Sequence, residues 1–344
     1  MQQVRVATLM PAVLKARILM AGVVGILLIL FLPLRPLYAA QLDKLFTQIE
    51  QLKQQGEQVY VLVPKSEDTF FTQVGKACED EAQRQGVHCL VFATDRVDIR
   101  EQVNVISALM KTDIDGLAFS AVKAEWIKSM LGDQLASWNR PLVAFDVPVD
   151  FSVVDSYVGT DDFALGKRLA LEVDRLRPQG GRYCIQSERA DSSNHSARVN
   201  GIQAVMQART HWQFMPGCPI FHQGDYRRAV LQLQRLLEVE QPDAMLLTGG
   251  GAQFQAGEYR QALAPYRQAI TSGELIIAGI DTVPDQLAYL RDGLATVNVG
   301  QQPEAIGRQT LDMLNKLANG DLVNMVIYTG LNVCRKDNTD NCLQ

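Results

Sequence analysis

The chain has 344 residues, 47% of them hydrophobic and 21% charged, which is enough to bury at least one large core and excludes a disordered or fibrous polymer. Its formal charge is −5, but four of its 33 basic residues, Arg5, Lys15, Arg17 and Arg35, lie in the first forty positions, which hold no carboxylate. The rest therefore sets 29 basic against 38 acidic groups, a balance that speaks against a nucleic-acid partner because such a partner needs a basic face.

The basic start runs into an uncharged stretch from Ile18 to Leu34, followed by Arg35-Pro36 and the small-residue patch Tyr38-Ala39-Ala40. This is the layout of a secretory signal, with Leu37 and Ala39 at the minus-three and minus-one places. The apolar run is longer than the usual signal core of about 7–15 residues and just short of the ~20 that span a bilayer, so residues 1–40 read either as a cleaved signal peptide or as an uncleaved inner-membrane anchor. Both readings deliver the remainder to the far side of a membrane. In residues 41–57, Leu42, Leu45, Phe46, Ile49 and Leu52 recur at helical spacing and predict an amphipathic helix, either a stalk or a helix docked on the body.

After Gly56 short apolar runs alternate with longer amphipathic stretches. Val59–Val63, Val87–Phe92, Gly116–Ser120 and Pro141–Phe145 read as strands, separated by helices over about 70–85, 99–111 and 126–138. The rhythm restarts after Asp161, with helices over about 163–176, 197–208, 227–237, 256–270 and 304–318. Strands are expected at Arg182–Gln186, His211–Phe214, Ala244–Thr248, Leu275–Ile280, Gly293–Gly300 and Val323–Leu331. Repeated βαβ units of this kind predict parallel sheets, and two rounds predict two similar α/β lobes with a ligand cleft at the carboxyl ends of the strands.

Several spaced segments resemble the type I periplasmic sugar-binding proteins, the ribose-binding-protein-like family related to the ligand domain of lactose-repressor-like regulators. They are Val63-Pro-Lys-Ser-Glu-Asp-Thr-Phe-Phe71, Val143-Ala-Phe-Asp146, Tyr157-Val-Gly-Thr-Asp-Asp162 with Gly166, and Asn194-His-Ser-Ala-Arg198 with Gly201. Ala278-Gly-Ile-Asp281 with Pro284-Asp285, and Gln301-Gln-Pro-Glu-Ala-Ile-Gly307, complete the set, which spans about residues 58–331. The resemblance implies two Rossmann-like lobes joined by a hinge, with lobe 1 formed by 58–160 plus about 282–308 and lobe 2 by 161–281 plus about 309–331. Residues 332–344 would form a disulfide-closed tail.

The same resemblance implies a ligand site. Phe70 and Phe71 would form one aromatic plate and Tyr226 the other, Asp146 and Asp281 would accept from hydroxyls, Arg198 would donate, and Gln301 could do both. Each has a plainer reading: a Phe-Phe pair at a helix start is often core, and an Asp closing a strand is often a cap or turn residue. Three departures bear on the ligand. Asp68 stands where many family members carry Asn, Val147 where a pentose binder has Arg, and Gly249 where a polar Asn is usual. Asp68, Asp146 and Asp281 would then converge against one Arg, which keeps an amino-bearing ligand beside a neutral sugar as an expectation.

The six cysteines of an exported chain make disulfides plausible, and fifteen pairings exist; Cys334–Cys342, closing a tail loop, is favoured, while Cys78 with Cys89 and Cys184 with Cys218 are candidates beside free buried thiols. Thr248-Gly-Gly-Gly251 lacks the Lys-Ser/Thr of a phosphate loop, and Ser192-Ser193 with His195 lack a nucleophile elbow. No metal, cofactor or catalytic group is expected. The expectation is a monomeric, non-enzymatic periplasmic binding protein that hands a small polar ligand, a sugar foremost, to an ABC permease, or that reports the ligand to a membrane sensor such as a kinase, chemoreceptor or cyclase.

Overall fold

The computed structural model describes residues 37–93 and 98–342. The Ile18–Leu34 run, and with it the choice between signal peptide and anchor, lies outside the described residues. Among those described, no helix is long and apolar enough to cross a membrane.

Helix α1 (Leu37–Gln54) carries the predicted amphipathic pattern. In its carboxyl-terminal half Leu45 and Ile49 are buried, and Lys53 Nζ lies 2.7 Å from Asp115, so this half is docked and does not form a free stalk. The first lobe is built on β1 (Val59–Val63), β2 (His88–Val91), β3 (Gly116–Phe119), β4 (Leu142–Phe145) and β5 (Ser156–Gly159). Helices α2 (Thr69–Gln85), α3 (Ile99–Leu109) and α4 (Ala124–Ser137) connect its first strands. Strands β1, β3, β4 and β5 are buried at every position, as an apolar run covered by helices on both faces requires.

The second lobe contains α5 (Asp162–Leu176), β6 (Gly181–Ser187), α6 (Ser193–Met206), β7 (Trp212–Phe214), β8 (Ile220–Phe221), α7 (Tyr226–Arg235) and β9 (Ala244–Leu247). It continues through α8 (Ala256–Leu263), α9 (Arg267–Ser272), β10 (Ile276–Ile280), α10 (Pro284–Asp292) and β11 (Val297–Gly300). The single helix expected over 256–270 is broken into α8 and α9 by a 3-10 turn, Ala264–Tyr266, where Pro265 withholds a backbone donor. The expected helix over 197–208 begins four residues earlier, at Ser193, which places Asn194 and His195 in its first turn.

Sheet topology corrects the predicted lobe boundaries. The first sheet runs β12-β5-β4-β3-β1-β2 and the second β13-β11-β10-β9-β6-β7, with β12 (Val326–Tyr328) and β13 (Asn332–Cys334). The segment around 284–300 thus belongs to the second lobe, whereas α11 (Pro303–Ala318) and β12 return to the first, the reverse of the expected assignment. The reason is packing. Helix α11 crosses α2 so closely that a Cβ on Gly307 would stand 2.1 Å from the Val74 carbonyl oxygen, and Asn315 accepts from the buried Tyr60 hydroxyl at 2.9 Å. The tail is a strand as well: β13 pairs antiparallel with β11 and makes the tail part of the second lobe.

All other pairings are parallel. The chain therefore crosses between lobes after β5, after β11 and between β12 and β13. Disulfides join Cys78 to Cys89, Cys184 to Cys218 and Cys334 to Cys342. They link α2 to β2, β6 to the segment before β8, and the two ends of the tail loop.

Candidate functional site

The carboxyl ends of β1, β4, β6, β9 and β10 face one cavity. All eight residues singled out from sequence line it: Asp68, Phe70, Phe71, Asp146, Arg198, Tyr226, Asp281 and Gln301. Lys65, Glu188, Asn194, His195, His222 and Phe254 also line it and were not singled out as site residues.

Asp146 and Asp281 close topologically equivalent strands, β4 and β10, and both sit in the left-handed backbone region, with φ of 59° and 79°. That conformation costs a non-glycine residue of order 1–3 kcal/mol and is characteristic of functional positions; Asp tolerates it better than most. Asp146 accepts from Ser120 Oγ at 2.8 Å, and Lys65 Nζ lies 3.2 Å from the same carboxylate oxygen. Burial works against the Lys65 charge, but Asp146 and Glu188 outweigh it and hold the ammonium above its ordinary range. This second cation corrects the expectation of a single Arg against the carboxylates. Its sequence signal was position alone, two residues past a buried strand.

Asp68 lines the cavity and is also a helix cap. Its Oδ1 caps α2 by accepting from the Phe70 and Phe71 backbone N–H groups, and its Oδ2 accepts from Ser66 Oγ. Burial nevertheless pushes its carboxyl up. The cap orients Phe70 and Phe71, whose rings meet edge-on at 5.1 Å and which are both wall and core: they line the cavity while packing in one cluster with Val74 and Cys78.

On the second lobe, α5 and α6 cross at two glycines. A Cβ on Gly166 would stand 2.1 Å from the Arg198 carbonyl oxygen, and one on Gly201 would stand 2.2 Å from that of Phe163. This close approach delivers Arg198, 2% exposed, into a fixed frame. Its Nε donates to Asp162 at 2.7 Å, Nη1 to the Thr248 carbonyl at 2.9 Å and Nη2 to Gln301 Oε1 at 3.1 Å. Gln301 Nε2 in turn donates to Asp281 at 2.7 Å. Burial raises the pKa of Asp281, and it raises that of Asp162 to about 6 despite Arg198 beside it.

A second network holds the imidazoles. His195 Nδ1 lies 2.9 Å from Thr248 Oγ1 and Nε2 3.2 Å from Glu188. Burial favours the neutral His195 ring, although its hydrogen bond with Glu188 opposes this. Burial alone would raise the Glu188 carboxyl, but that hydrogen bond and the Lys65 charge prevail and hold it well below the usual range. Glu188, His195 and Thr248 are ordered like a relay, yet Thr248 is fully buried and its Oγ1 donates to Ser187 Oγ, so its hydroxyl faces no ligand. His222 is pushed down to about 4 by burial, and its Nδ1 has no hydrogen-bond partner.

The three glycines after Thr248 make room for these rings. A Cβ on Gly249 would meet His195 Cε1 at 2.8 Å, one on Gly250 the Phe254 ring at 2.1 Å, and one on Gly251 His222 Nε2 at 2.8 Å. Gly249 in place of the usual Asn is therefore not simply a lost hydrogen bonder, because the imidazole of His195 occupies the vacated space. Tyr226, at the start of α7, meets His222 and Phe254 edge-on at 6.0 and 5.7 Å and completes this wall.

The sequence profile of the periplasmic binding protein domain matches residues 59–322, most of the chain and both lobes. The chain belongs to this family. Within it, this periplasmic binding protein resembles the D-allose-binding periplasmic protein of Escherichia coli, 24% identical over 268 residues that cover 74% of this chain and 83% of the relative. It also resembles the ribose import binding protein of Bacillus subtilis, 19% identical and covering 76% and 82%. Among solved structures, a glucose-galactose binding protein from Geobacillus stearothermophilus superposes with a TM-score of 0.73 at 19% identity, over 82% of this chain and 98% of that one. A solute binding protein from Actinobacillus succinogenes with bound D-allose gives 0.73 at 15% identity, over 83% and 100%. These structural likenesses establish the type I periplasmic binding protein fold.

Proposed function

We propose that this periplasmic binding protein captures a small carbohydrate-like ligand between its lobes and presents it to an ABC transporter permease, performing no chemistry itself. The observation that carries the proposal is a cavity at the strand ends where aromatic rings from both lobes stand beside carboxylates, an amide and a guanidinium. Such a set matches the apolar C–H faces and hydroxyl rim of a sugar. Relatives named for allose and ribose, and solved neighbours holding D-allose and D-arabinose, support the same ligand class. In this reading Asp146 and Asp281 accept from ligand hydroxyls, Phe70, Phe71 and Tyr226 flank the ring, and the Arg198–Gln301 pair holds Asp281 in place. Ligand binding draws the lobes together about the three crossings, and the membrane partner reads the closed state.

The test is a thermal-shift screen of pentoses, hexoses and polyols, followed by calorimetry on the hits. At least one sugar raises Tm in proportion to its excess over Kd. A screen in which no sugar shifts the melt, while another ligand class does, overturns the reading. Co-purification with a permease supports the transport role, whereas co-purification with a sensor kinase, chemoreceptor or cyclase reassigns the bound state to signalling.

A further inference from the structure

Four carboxylates line the cleft, from Asp68, Asp146, Glu188 and Asp281, against two cations, Lys65 and Arg198. Both cations are shared among more carboxylates than they can neutralise. Lys65 sits 3.2 Å from Asp146 and also acts on Glu188, and Arg198 donates over 2.7 Å to Asp162, which stands outside the lining, and also acts on Asp281. As a direct hydrogen-bond donor Asp281, 6% exposed, has the neutral Gln301 amide; Glu188 has the His195 imidazole; Asp68 has a hydroxyl and two backbone N–H groups.

Buried ionised carboxylates without a countercharge are strongly unfavourable. Hydroxyls of a neutral sugar would hydrogen-bond these oxygens and leave the charge in place, whereas an ammonium group does both. Two further features favour such an occupant. Burial, followed by the combined field of Asp68, Glu188, Asp281 and Asp146, pushes the Tyr226 phenol well above its ordinary value, so all four carboxylates act on one region of the cleft. In the same wall His222, 4% exposed, keeps Nδ1 without a partner, and the rings of Tyr226 and Phe254 offer faces on which a cation is attracted.

We infer that, given the reading of this cleft as the ligand site, the ligand is an amine-bearing sugar or small polyol whose protonated amino group has Asp281 as its principal countercharge. Isothermal titration at pH 7 tests this with three sets of probes: D-glucose, D-galactose, D-allose and D-ribose; D-glucosamine, D-galactosamine and the uncharged N-acetyl-D-glucosamine; and the non-sugar amines putrescine and choline. The expected result is that an amino sugar binds at least about tenfold more tightly than its parent hexose, with N-acetyl-D-glucosamine at or below the parent. Asp281→Asn then reduces that preference to roughly threefold or less, and Glu188→Gln, read alongside it, reduces it by a smaller factor. Neutral sugars binding as tightly as their amino counterparts overturn the inference and leave the carbohydrate reading standing. Binding of putrescine or choline without any sugar overturns the carbohydrate scaffold and leaves the need for an ammonium standing. Silence across all three sets overturns both.

Discussion

The two halves of the cleft are built on one topology and differ in how their side chains are held. Strands β1, β3, β4 and β5 of the first lobe correspond to β6, β9, β10 and β11 of the second, and the equivalent β4 and β10 end in Asp146 and Asp281, each in the left-handed region. Beyond β1 stands the cation Lys65, and beyond β6 the anion Glu188. The first-lobe wall rests on its core, because Phe70 and Phe71 are core residues with an exposed edge and Asp68 is a helix cap. The second-lobe wall is a polar lattice in which Arg198, Gln301, Asp281, His195 and Glu188 each take a partner from another element or an adjoining loop. The repeated scaffold thus sets where side chains point, and the residues just past each strand set what they can bind. Substitutions in the first wall should therefore act one by one, and the second should fail as a unit.

The largest effect is expected from Arg198→Ala. Removing the guanidinium leaves Asp162 buried without its partner and frees Gln301 and the Thr248 carbonyl, a class of change that costs about 3–5 kcal/mol. Urea denaturation should show that loss, with ligand binding abolished. Arg198→Lys should recover only part, since one ammonium cannot serve three partners in a fork. A stability change under about 1 kcal/mol would mean the second wall is not a lattice.

Acid should act on the same wall through His222. Its pKa is 6.5 ordinarily and about 4 here, lowered by burial, with Glu188, His195, Asp225 and Arg228 as the charged or titratable groups around it. A depressed imidazole contributes stability that is present above pH 6.5 and lost as pH falls through 4, at most about 3 kcal/mol. Asp162 runs the other way. Burial raises it from 3.8 to about 6 despite Arg198, so its contribution is complete below pH 3.8 and lost as pH rises through 6. In His222→Gln the fall in Tm between pH 6.5 and 4 should therefore shrink or reverse. An unchanged acid limb would assign that loss to other groups.

How much of this was legible in the sequence follows the same division. The strand-end aspartates, the Phe-Phe pair and Arg198 are named through the family resemblance, since their plain sequence context fits core, cap or surface roles as well. Lys65, Glu188 and His222 are not, because nothing in a loop's sequence tells which side chain turns inward; His195 was noticed only as a discarded base. The glycine run was visible and its purpose was not, since the crowding that requires it comes from His195 and His222, 54 and 29 positions earlier counted from Gly249 and Gly251. The exchange of 282–308 with 309–331 arose from the same limit. Strand and helix existence is local, whereas membership in one of two similar sheets is decided by which face α11 covers.

That crowding gives the next prediction. Gly249→Ala places a methyl 2.8 Å from His195 Cε1, and Gly251→Ala places one 2.8 Å from His222 Nε2. Overpacking of this kind costs about 1–3 kcal/mol and turns the imidazoles out of position, so affinity should fall by about tenfold or more in either variant. Gly257→Ala, where a Cβ meets nothing within 4 Å, is the control and should gain a few tenths of a kcal/mol, as Gly→Ala does within a helix. Equal behaviour of the three variants would show that the loop yields and that the second wall is softer than the first.

The smallest effect concerns how the two walls meet. Lys123, at the start of α4 in the first lobe, places Nζ 2.6 Å from Asp191 in the β6–α6 loop of the second, and Arg189 holds the same carboxylate from its own lobe at 2.9 Å. Neither residue of the pair lines the cavity, so it acts on lobe closure and not on ligand contacts. Asp191 is 45% exposed, and such a pair is worth only ~0.2–1 kcal/mol, up to about fivefold in an equilibrium. Because apparent affinity scales with the fraction of molecules able to close, Lys123→Ala should weaken ligand binding by about two- to fivefold, mainly through faster release. Raising the salt concentration should shrink the difference between variant and parent, because the pair is screened. An affinity unaffected by Lys123→Ala at low salt would leave closure to the three hinge crossings and the ligand alone.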